Sequence, residues 1–402
     1  MGEVTHYGWL VLITSLGFLV AVMSSRVSAR LRIPAPAIFL IGAAVASNLV
    51  PSLGDIPRRT VERIVTIALV VILFDGGMRI GWRRFRAAAG AVVWLGVAGT
   101  VVTAGGLALA AHGIFRLGWH ESLLLGTALA PTDPAVVFSV LGGREVGGRA
   151  GVLLQGESGA NDPVGIALMV ALLGAGSSGG GDAFADGLVT FVLQMVVGAA
   201  VGVAAGYLLR YFLRIRLPNE GLYALRALLC ALVVYGLATV AHGSGFLAVL
   251  VAGILVGDEA LPYRGEVRGF SGSLASLAEI VAFVVLGLTI DVTLVGRDFA
   301  WAIGLTMALL LAFVVRPALC GLVLWPVRLD RGERLFVLWS GLKGAVPILL
   351  GLLVVTAGVD RASQIYAVVF VVVTFSVIVQ GGLVPIVASR LGVPLTEMPP
   401  DE

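Results

Sequence analysis

Long apolar segments follow one another along almost the whole chain, and only short polar connections separate them. A helix needs about 20 mainly apolar residues to cross a bilayer. We count thirteen candidate segments, at about 7–24, 34–51, 62–79, 87–112, 120–141, 151–175, 187–209, 221–241, 244–257, 273–291, 299–326, 334–357 and 364–389. The pattern predicts an all-α membrane protein with about 13 transmembrane helices. We expect residues 1–402 to form a single membrane domain without a soluble regulatory domain.

Composition supports this interpretation. The chain is 58% hydrophobic and 13% charged, whereas soluble proteins contain roughly 25% charged residues. The N-terminus lacks the basic region and cleavage site of a secretory signal, so the first apolar segment is predicted to be a span. The net charge of +3 gives no reason to expect a nucleic-acid partner. The lipid bilayer is therefore the expected surroundings of nearly the whole chain.

The distribution of arginines predicts the orientation. If the N-terminus lies outside, eighteen arginines fall on the cytoplasmic side and six on the other. The eighteen are Arg26, Arg30, Arg32, Arg79, Arg83, Arg84, Arg86, Arg144, Arg149, Arg210, Arg214, Arg216, Arg264, Arg268, Arg328, Arg331, Arg334 and Arg390. This bias satisfies the positive-inside rule. We therefore predict a multi-pass protein of the cell membrane, with its N-terminus outside and its C-terminus in the cytoplasm.

The two halves of the chain resemble each other weakly at an offset near 211 residues. The segment PAPAIFLIGAAVASN of span 2 aligns with GSGFLAVLVAGILVGD of span 9, and span 5 aligns with span 12. Aligned spans are seven apart, so the second copy has the inverted topology that many secondary transporters show. We predict repeat 1 at about 7–175, a linker helix at about 187–209 and repeat 2 at about 221–389.

Span 5 contains the helix-breaking sequence Ala130-Pro131-Thr132-Asp133-Pro134. A proline cannot donate to the carbonyl four residues earlier, so Pro134 frees the carbonyl of Ala130. Backbone freed at membrane depth must line a cavity or find a partner. Thr132 can offer a hydroxyl and a carbonyl to a cation, and Asp133 can cap the second half-helix.

Span 12 carries a matching break, Gly341-Leu342-Lys343-Gly344-Ala345-Val346-Pro347. Two glycines and Pro347 weaken the helix there. The ends of half-helices carry opposite partial charges. Asp133 and Lys343 have the correct signs to neutralise those ends where two broken helices cross. Lys343 is the only lysine of the chain, and it lies about ten residues inside its span.

Span 6 holds most of its polarity at its centre. At 100° per residue, Glu157, Asn161, Ser158 and Asp162 fall on one face, opposite a face of small residues. Asp162 lies about 18 Å along the span, near the middle of the bilayer. Two carboxylates at such depth are costly and indicate function.

Asp162 is the predicted ion site, because a poorly hydrated carboxylate can hold a proton or a dehydrated monovalent cation, but not both. Competition for one carboxylate couples two fluxes and predicts the exchange of one cation for one proton. Glu157 is predicted to form a structural salt bridge with Lys343, since an unpaired second carboxylate would be costly. Asn161 is predicted to bond the freed backbone of span 5.

The segments TDPAVVF, GESGANDP and GLKGAVP resemble signatures of NhaP-like sodium (potassium)/proton antiporters of the cation:proton antiporter superfamily. The resemblance covers the whole chain and implies an electroneutral homodimer with thirteen spans and no cofactor. It implies that Asp162 carries Na⁺ or K⁺ and protons, that Glu157, Ser158 and the Thr132 backbone assist in coordination, and that Asn161 steadies the broken span. Lys343 departs from the family, which usually has arginine at this position. A lysine can lose its proton when buried.

Two further carboxylates are candidates for supporting roles. Asp75, near the cytoplasmic end of span 3, is predicted to form a structural ion pair with an arginine such as Arg316 of span 11, and a role as a gate is the alternative. Glu279 is expected one to two turns inside span 10, where two interpretations stay open. It is either a pH-sensing residue at the opening or a solvated residue of a funnel.

Three alternative functions fit the sequence less well. Gly156-Glu157-Ser158-Gly159 resembles the motif of intramembrane serine proteases, but no histidine lies at the same depth to act as base. A channel would be expected to show a pore loop or rings of like residues. A transporter of an organic solute stays open, although a carboxylate-lined site favours a small cation.

Overall fold

The computed structural model describes residues 34–141, 144–178, 183–259 and 262–397, together with four single residues before them: Gly8, Leu12, Gly17 and Leu19. Most of the first predicted span, at 7–24, lies outside the described residues. The arginines at 26, 30 and 32 lie outside them too.

The described chain is almost entirely helical. Its first part comprises α1 (Ala35–Leu49), α2 (Arg58–Val93), α3 (Thr100–Phe115), α4 (Trp119–Leu129), α5 (Pro134–Val140), α6 (Gly148–Ser178), α7 (Ala183–Phe212), α8 (Gly221–Val240) and α9 (Gly245–Val256). Its second part comprises α10 (Arg264–Leu288), α11 (Val292–Gly296), α12 (Ala300–Leu310), α13 (Gly321–Leu324), α14 (Arg331–Trp339), α15 (Ala345–Thr356), α16 (Ala362–Phe375) and α17 (Gly382–Arg390). Wider π-helical turns join α2 to α3, α12 to α13 and α16 to α17.

Many of these helices suit a bilayer. Among the described residues, seven helical stretches are long and apolar enough to cross a membrane, and eight if α4 and α5 are taken as one bent span. The helices α1, α9 and α15 are shorter but apolar. The prediction of a multi-pass helical membrane protein is therefore confirmed.

The all-α prediction misses a short antiparallel ribbon. Strand β1 (Arg144–Val146) pairs with β2 (Leu395–Glu397), near the C-terminal end of the described chain. The amide of Gly147 also donates to the Pro394 carbonyl at 2.8 Å. Backbone pairing between residues so distant in sequence leaves no periodicity that a search for apolar helices could detect.

A break at Gly81 separates the two parts of a very long helical stretch, Arg58–Phe115. Gly81 has φ 68° and ψ 158°, outside the helical region. That φ favours glycine, and an added Cβ would also collide with the Asp258 carboxylate. Asp258 accepts a 2.6 Å hydrogen bond from the Arg83 amide just after the break. The predicted boundary between spans 3 and 4 coincides with this break.

The helices pack in two groups. One contains α1, α2, α7, α8, α9 and α10, and the other contains α3, α4, α12, α15 and α16. Helix α6 packs against both groups. Within the first group α2 and α9 approach closely at Gly77 and Gly253, where a Cβ on either would meet the other helix's backbone within 2.7 Å. The polar centre of α6 thus lies where the two groups meet.

Candidate functional site

The break in span 5 follows its prolines. Helix α4 ends at Leu129 and α5 begins at Pro134, with a bend of 41° between them. Proline suits the first position of a helix because the amide it lacks would have no intrahelical partner. Asp133 is the N-cap of α5, and its carboxylate accepts the Ala135 amide at 2.9 Å. The negative charge lies against the positive end of the half-helix.

The break in span 12 lies directly against the first break. Helix α14 ends at Trp339 and α15 begins at Ala345. The Asp133 amide donates to the Leu342 carbonyl at 2.8 Å, which joins the two interrupted segments through their backbones. Gly344 is required at the contact, because an added Cβ would overlap the Asp133 side chain.

Lys343 is fully buried at 0% exposure. Its ammonium donates to the carbonyls of Ala130 and Pro131, each at 2.9 Å. These carbonyls lie at the C-terminal end of α4, where helix carbonyls lack intrahelical donors. Lys343 thus places a positive charge at the negative end of α4.

The predicted salt bridge between Glu157 and Lys343 is wrong. Glu157 pairs with Arg316 through two hydrogen bonds of 2.8 and 3.0 Å, with both side chains buried. Arg316 also donates to the carbonyls of Val337 and Leu338, at 3.2 and 2.9 Å, in the last turn of α14. A guanidinium has enough donors in a planar fork to serve both acceptors, whereas an ammonium has three.

The predicted ion pair between Asp75 and an arginine is confirmed, but the expected partner, Arg316, is wrong. Asp75 accepts from Arg79, one turn later in α2, at 2.7 Å. Sequence reasoning recognised Arg316 as a buried charge but assigned it to the wrong carboxylate. The available signal was its depth in span 11, close to the depth of Glu157 in span 6.

The polar face of α6 holds the first break through Thr132. Asn161 donates to the Thr132 hydroxyl at 2.7 Å and accepts the Thr132 amide at 3.3 Å. The Ser158 hydroxyl donates to the Thr132 carbonyl at 2.6 Å. Both oxygens that sequence analysis offered to a cation therefore already accept hydrogen bonds, although each has capacity for a second contact.

Asp162 differs from its neighbours. In the part of the chain that the structure describes, its carboxylate receives no hydrogen bond and forms no ion pair. It faces a cavity of about 380 Å³. Thr132, Asp133 and Ser158 also line this cavity, as do Pro134 and Pro347 of the two breaks. The structure thus brings most of the predicted site residues together around one space, whereas Glu157, Asn161 and Lys343 do not line it.

The cavity reaches one face of the protein. Its outer lining includes Arg79 of α2, Ser139 of α5 and Ser276 of α10, all exposed. At the other end of α10 the two helix groups are in contact. There the hydroxyls of Thr289 and Tyr366 are 2.6 Å apart. The cavity therefore opens on the face where α5 ends and α10 begins.

Glu279 lines the same cavity, from α10. Because α10 begins at Arg264, Glu279 lies about four turns inside the helix and not one to two. The helix starts before its most apolar stretch. Residues 264–272 are polar, so the sequence predicted them to be a connection between spans.

Comparison with known proteins identifies the family. Residues 16–390 match the family model described as sodium/hydrogen exchanger, transmembrane. The chain is 36% identical over 399 residues to the K(+)/H(+) antiporter NhaP of Alkalimonas amylolytica, covering 98% of this chain and 68% of that protein. It is 24% identical over 380 residues to the Na(+)/H(+) antiporter NhaH of Halobacillus dabanensis, covering 89% and 91%.

A solved structure supports the fold. The sodium/proton antiporter MjNhaP1 of Methanocaldococcus jannaschii superposes with a TM-score of 0.79 at 21% identity, covering 97% of this chain and 99% of that one. The prediction of a transporter rather than an enzyme is confirmed by the family match. This chain belongs to the sodium/hydrogen exchanger family, as an NhaP-like cation/proton antiporter.

Proposed function

We propose that this protein exchanges one Na⁺ or K⁺ for one proton by alternating access, with Asp162 binding the two in turn. The relatives named above include both K(+)/H(+) and Na(+)/H(+) antiporters, so the proposal keeps both cations. No resident cofactor is needed, because the transported ions are the only reactants.

The observation that carries the proposal is the position of the Asp162 carboxylate. It faces the cavity beside two crossing helix breaks. A carboxylate in that position can exchange a proton for a cation that enters from the open face. Ser158 and Thr132 are proposed to complete the cation's oxygen shell, because they line the same space. Oxygen ligands suit alkali-metal cations, which are hard.

The other charged groups where the two helix breaks cross each have a structural partner already. This supports a one-for-one exchange. Glu157 is held by Arg316, and Asp133 caps α5. Lys343 is held by two carbonyls. A cycle that changes only the occupancy of Asp162 moves one positive charge in each direction and is electroneutral.

Alternating access is proposed as a movement of the two helix groups against each other. The cavity is open at one face, and the pair formed by Thr289 and Tyr366 joins the groups at the other. In the opposite state this pair must separate while the present opening closes. We propose that thirteen spans in two inverted repeats, joined by a linker helix, provide the symmetry for this exchange of states.

We infer that the open face is cytoplasmic. Arginines gather there: Arg264 and Arg268 both donate to the Gly257 carbonyl, and Arg210 and Arg214 contact Glu259. Arginine-rich connections stay on the cytoplasmic side. This orientation places the N-terminus outside the cell and the C-terminus in the cytoplasm. We also propose a single membrane domain that assembles as a homodimer.

The proposal is tested by ion exchange in proteoliposomes. The purified protein is reconstituted with a trapped pH dye, and Na⁺, K⁺ or Li⁺ gradients are imposed with and without valinomycin. Electroneutral exchange gives cation-driven proton flux that a membrane potential neither accelerates nor slows. Flux that follows the potential would refute the one-for-one stoichiometry, and uncoupled conductance would indicate a channel.

Asp162→Asn tests the carrier. Its flux is expected to fall to the level of empty liposomes. The matched control is Asp186→Asn, which makes the same substitution at an exposed position of α7 and is expected to leave the flux unchanged. Cation-driven proton flux in the Asp162→Asn protein would refute the assignment.

A further inference from the structure

Among the described residues, four carboxylates line the cavity. Asp75 pairs with Arg79, Asp133 caps α5 and Asp162 is the proposed exchange site, whereas Glu279 has none of these roles. Glu279 lines the cavity from α10, which belongs to the first helix group. Asp162 lines it from α6, which packs against both groups. The two carboxylates thus belong to different walls of one space. Glu279 is also close enough to Asp133 to interact electrostatically with it.

Glu279 has no structural partner that would explain its burial. Over the ranges that the structure describes, its carboxylate takes part in no hydrogen bond or ion pair. The cation nearest the opening, Arg79, is engaged by Asp75 at 2.7 Å. A partly buried carboxylate without a partner costs folding free energy. Its presence in the cavity wall therefore points to a role in binding.

The path to Asp162 begins in a positive field. Arg79 lines the outer part of the cavity, and Arg268 interacts electrostatically with Arg79, Arg84 and Arg264. Two aspartates, Asp75 and Asp258, also act on these arginines, so the arginines outnumber the aspartates four to two. Such a rim repels an approaching Na⁺ or K⁺. Charged groups in a cleft with low-dielectric walls change the local concentration of ions strongly.

Glu279 lies deeper in the cavity than this rim. Along α10 the cavity is lined in turn by Gly272, Ser276 and Glu279. Arg79 reaches Gly272, so this glycine marks the level of the rim. Glu279 is therefore about 10 Å further along the helix axis, at 1.5 Å per residue. A cation that has passed the arginines enters the space that this carboxylate and Asp162 line together.

We propose that Glu279 sets the apparent affinity for the transported cation on the open side. Its negative charge offsets the arginine rim and concentrates Na⁺ or K⁺ beside Asp162, without itself being the exchanged site. This inference rests on the proposed exchange at Asp162. Because Glu279 acts by charge at a distance, its effect depends on the charge and not on one fixed contact.

The test measures the cation dependence of exchange in proteoliposomes at one fixed alkaline pH, with the cavity side facing the varied cation. Glu279→Gln is expected to raise the apparent KM for the cation about fivefold, with the maximal rate within about twofold of the unchanged protein. Raising ionic strength with an impermeant salt is expected to shrink this difference, since salt screens the charge.

The matched control is Glu266→Gln, which removes the same charge from an exposed position of the same helix. It is expected to leave KM unchanged. A second variant, Ser276→Glu combined with Glu279→Gln, returns the charge to the same wall one turn nearer the opening and is expected to restore much of the affinity. If Glu279→Gln does not fold, Ser276→Lys places a positive charge on the same wall with Glu279 intact and is expected to raise the KM as well.

An unchanged KM in Glu279→Gln, or a loss of maximal rate without a change in KM, would overturn the inference. Failure of Ser276→Glu to restore KM would overturn it as well, because the effect would then belong to the Glu279 side chain's contacts. If Asp162→Asn still exchanges ions, the proposed function fails instead, so the two failures are distinguishable.

Discussion

Two carboxylates on α6, Glu157 and Asp162, are five residues apart in the same helix, yet their surroundings differ completely. Glu157 is 3% exposed and receives both its hydrogen bonds from the Arg316 guanidinium. Asp162 faces the cavity, and it forms no hydrogen bond or ion pair with the described residues, although the charge of Lys343 acts on it from a distance. Their depth is similar, so depth alone does not decide what a carboxylate does in a membrane.

The difference lies in the neighbouring helix. Glu157 faces the helical stretch that carries Arg316, while Asp162 faces the space left where two helices are interrupted. A charge that is paired at all times contributes structure, and one that stays accessible can change partners. Substituting either carboxylate tests this difference directly, and substituting the groups that hold them tests its cause.

The largest expected effect is on exchange in Asp162→Asn. Flux should fall at least a hundredfold, to background, because an amide cannot take up the proton. Stability should barely change, because the carboxylate holds no contact that the amide would lose. Proteoliposome flux and the thermal unfolding of the same purified protein are measured together. A large loss of melting temperature would show that Asp162 is structural like Glu157.

The second prediction concerns Glu157→Gln, which should reverse this pattern. It leaves the buried Arg316 charge without its counter-charge, and removing one partner of a buried pair costs about 3–5 kcal/mol. Thermal unfolding should show the loss. An unchanged melting temperature in Glu157→Gln would contradict a paired role.

The third prediction concerns Lys343. Replacing it by methionine leaves the carbonyls of Ala130 and Pro131 without a donor, at about 1–3 kcal/mol for each buried group. Lys343→Arg keeps the charge and should retain more stability and flux than Lys343→Met. Melting temperature and flux are compared for the two variants. Equal behaviour of the two would show that the charge at the end of α4 is unimportant.

The smallest expected effect is that of Ser158→Ala. It removes a hydrogen bond of 2.6 Å to the Thr132 carbonyl, worth about 1 kcal/mol. If Ser158 also binds the cation, the apparent KM should rise severalfold while exchange persists. Flux is measured against cation concentration, with Ser273→Ala, an exposed position of α10, as the control. An unchanged KM would limit Ser158 to a structural role.

Several elements could be predicted because their signals are local. Closely spaced prolines and glycines weaken a helix, so the breaks near Pro134 and Gly344 follow from the chain itself. A single proline such as Pro163 does not interrupt its helix here. A span's length and polarity are likewise contained in consecutive residues. The partners of the buried charges were not predictable in this way. Arg316 was expected beside Asp75, and Lys343 beside Glu157, and both expectations were wrong.

Local sequence is enough to infer that the chain crosses a membrane repeatedly, where two of its spans are interrupted, and which span carries carboxylates at mid-depth. These properties depend on composition and on the order of neighbouring residues. Only the tertiary structure decided that Arg316 holds Glu157 and that Lys343 closes the end of α4. It also decided that Asp162 and Glu279 face one cavity. A helix can present a side chain to any neighbour, and only the packing of distant helices selects which one.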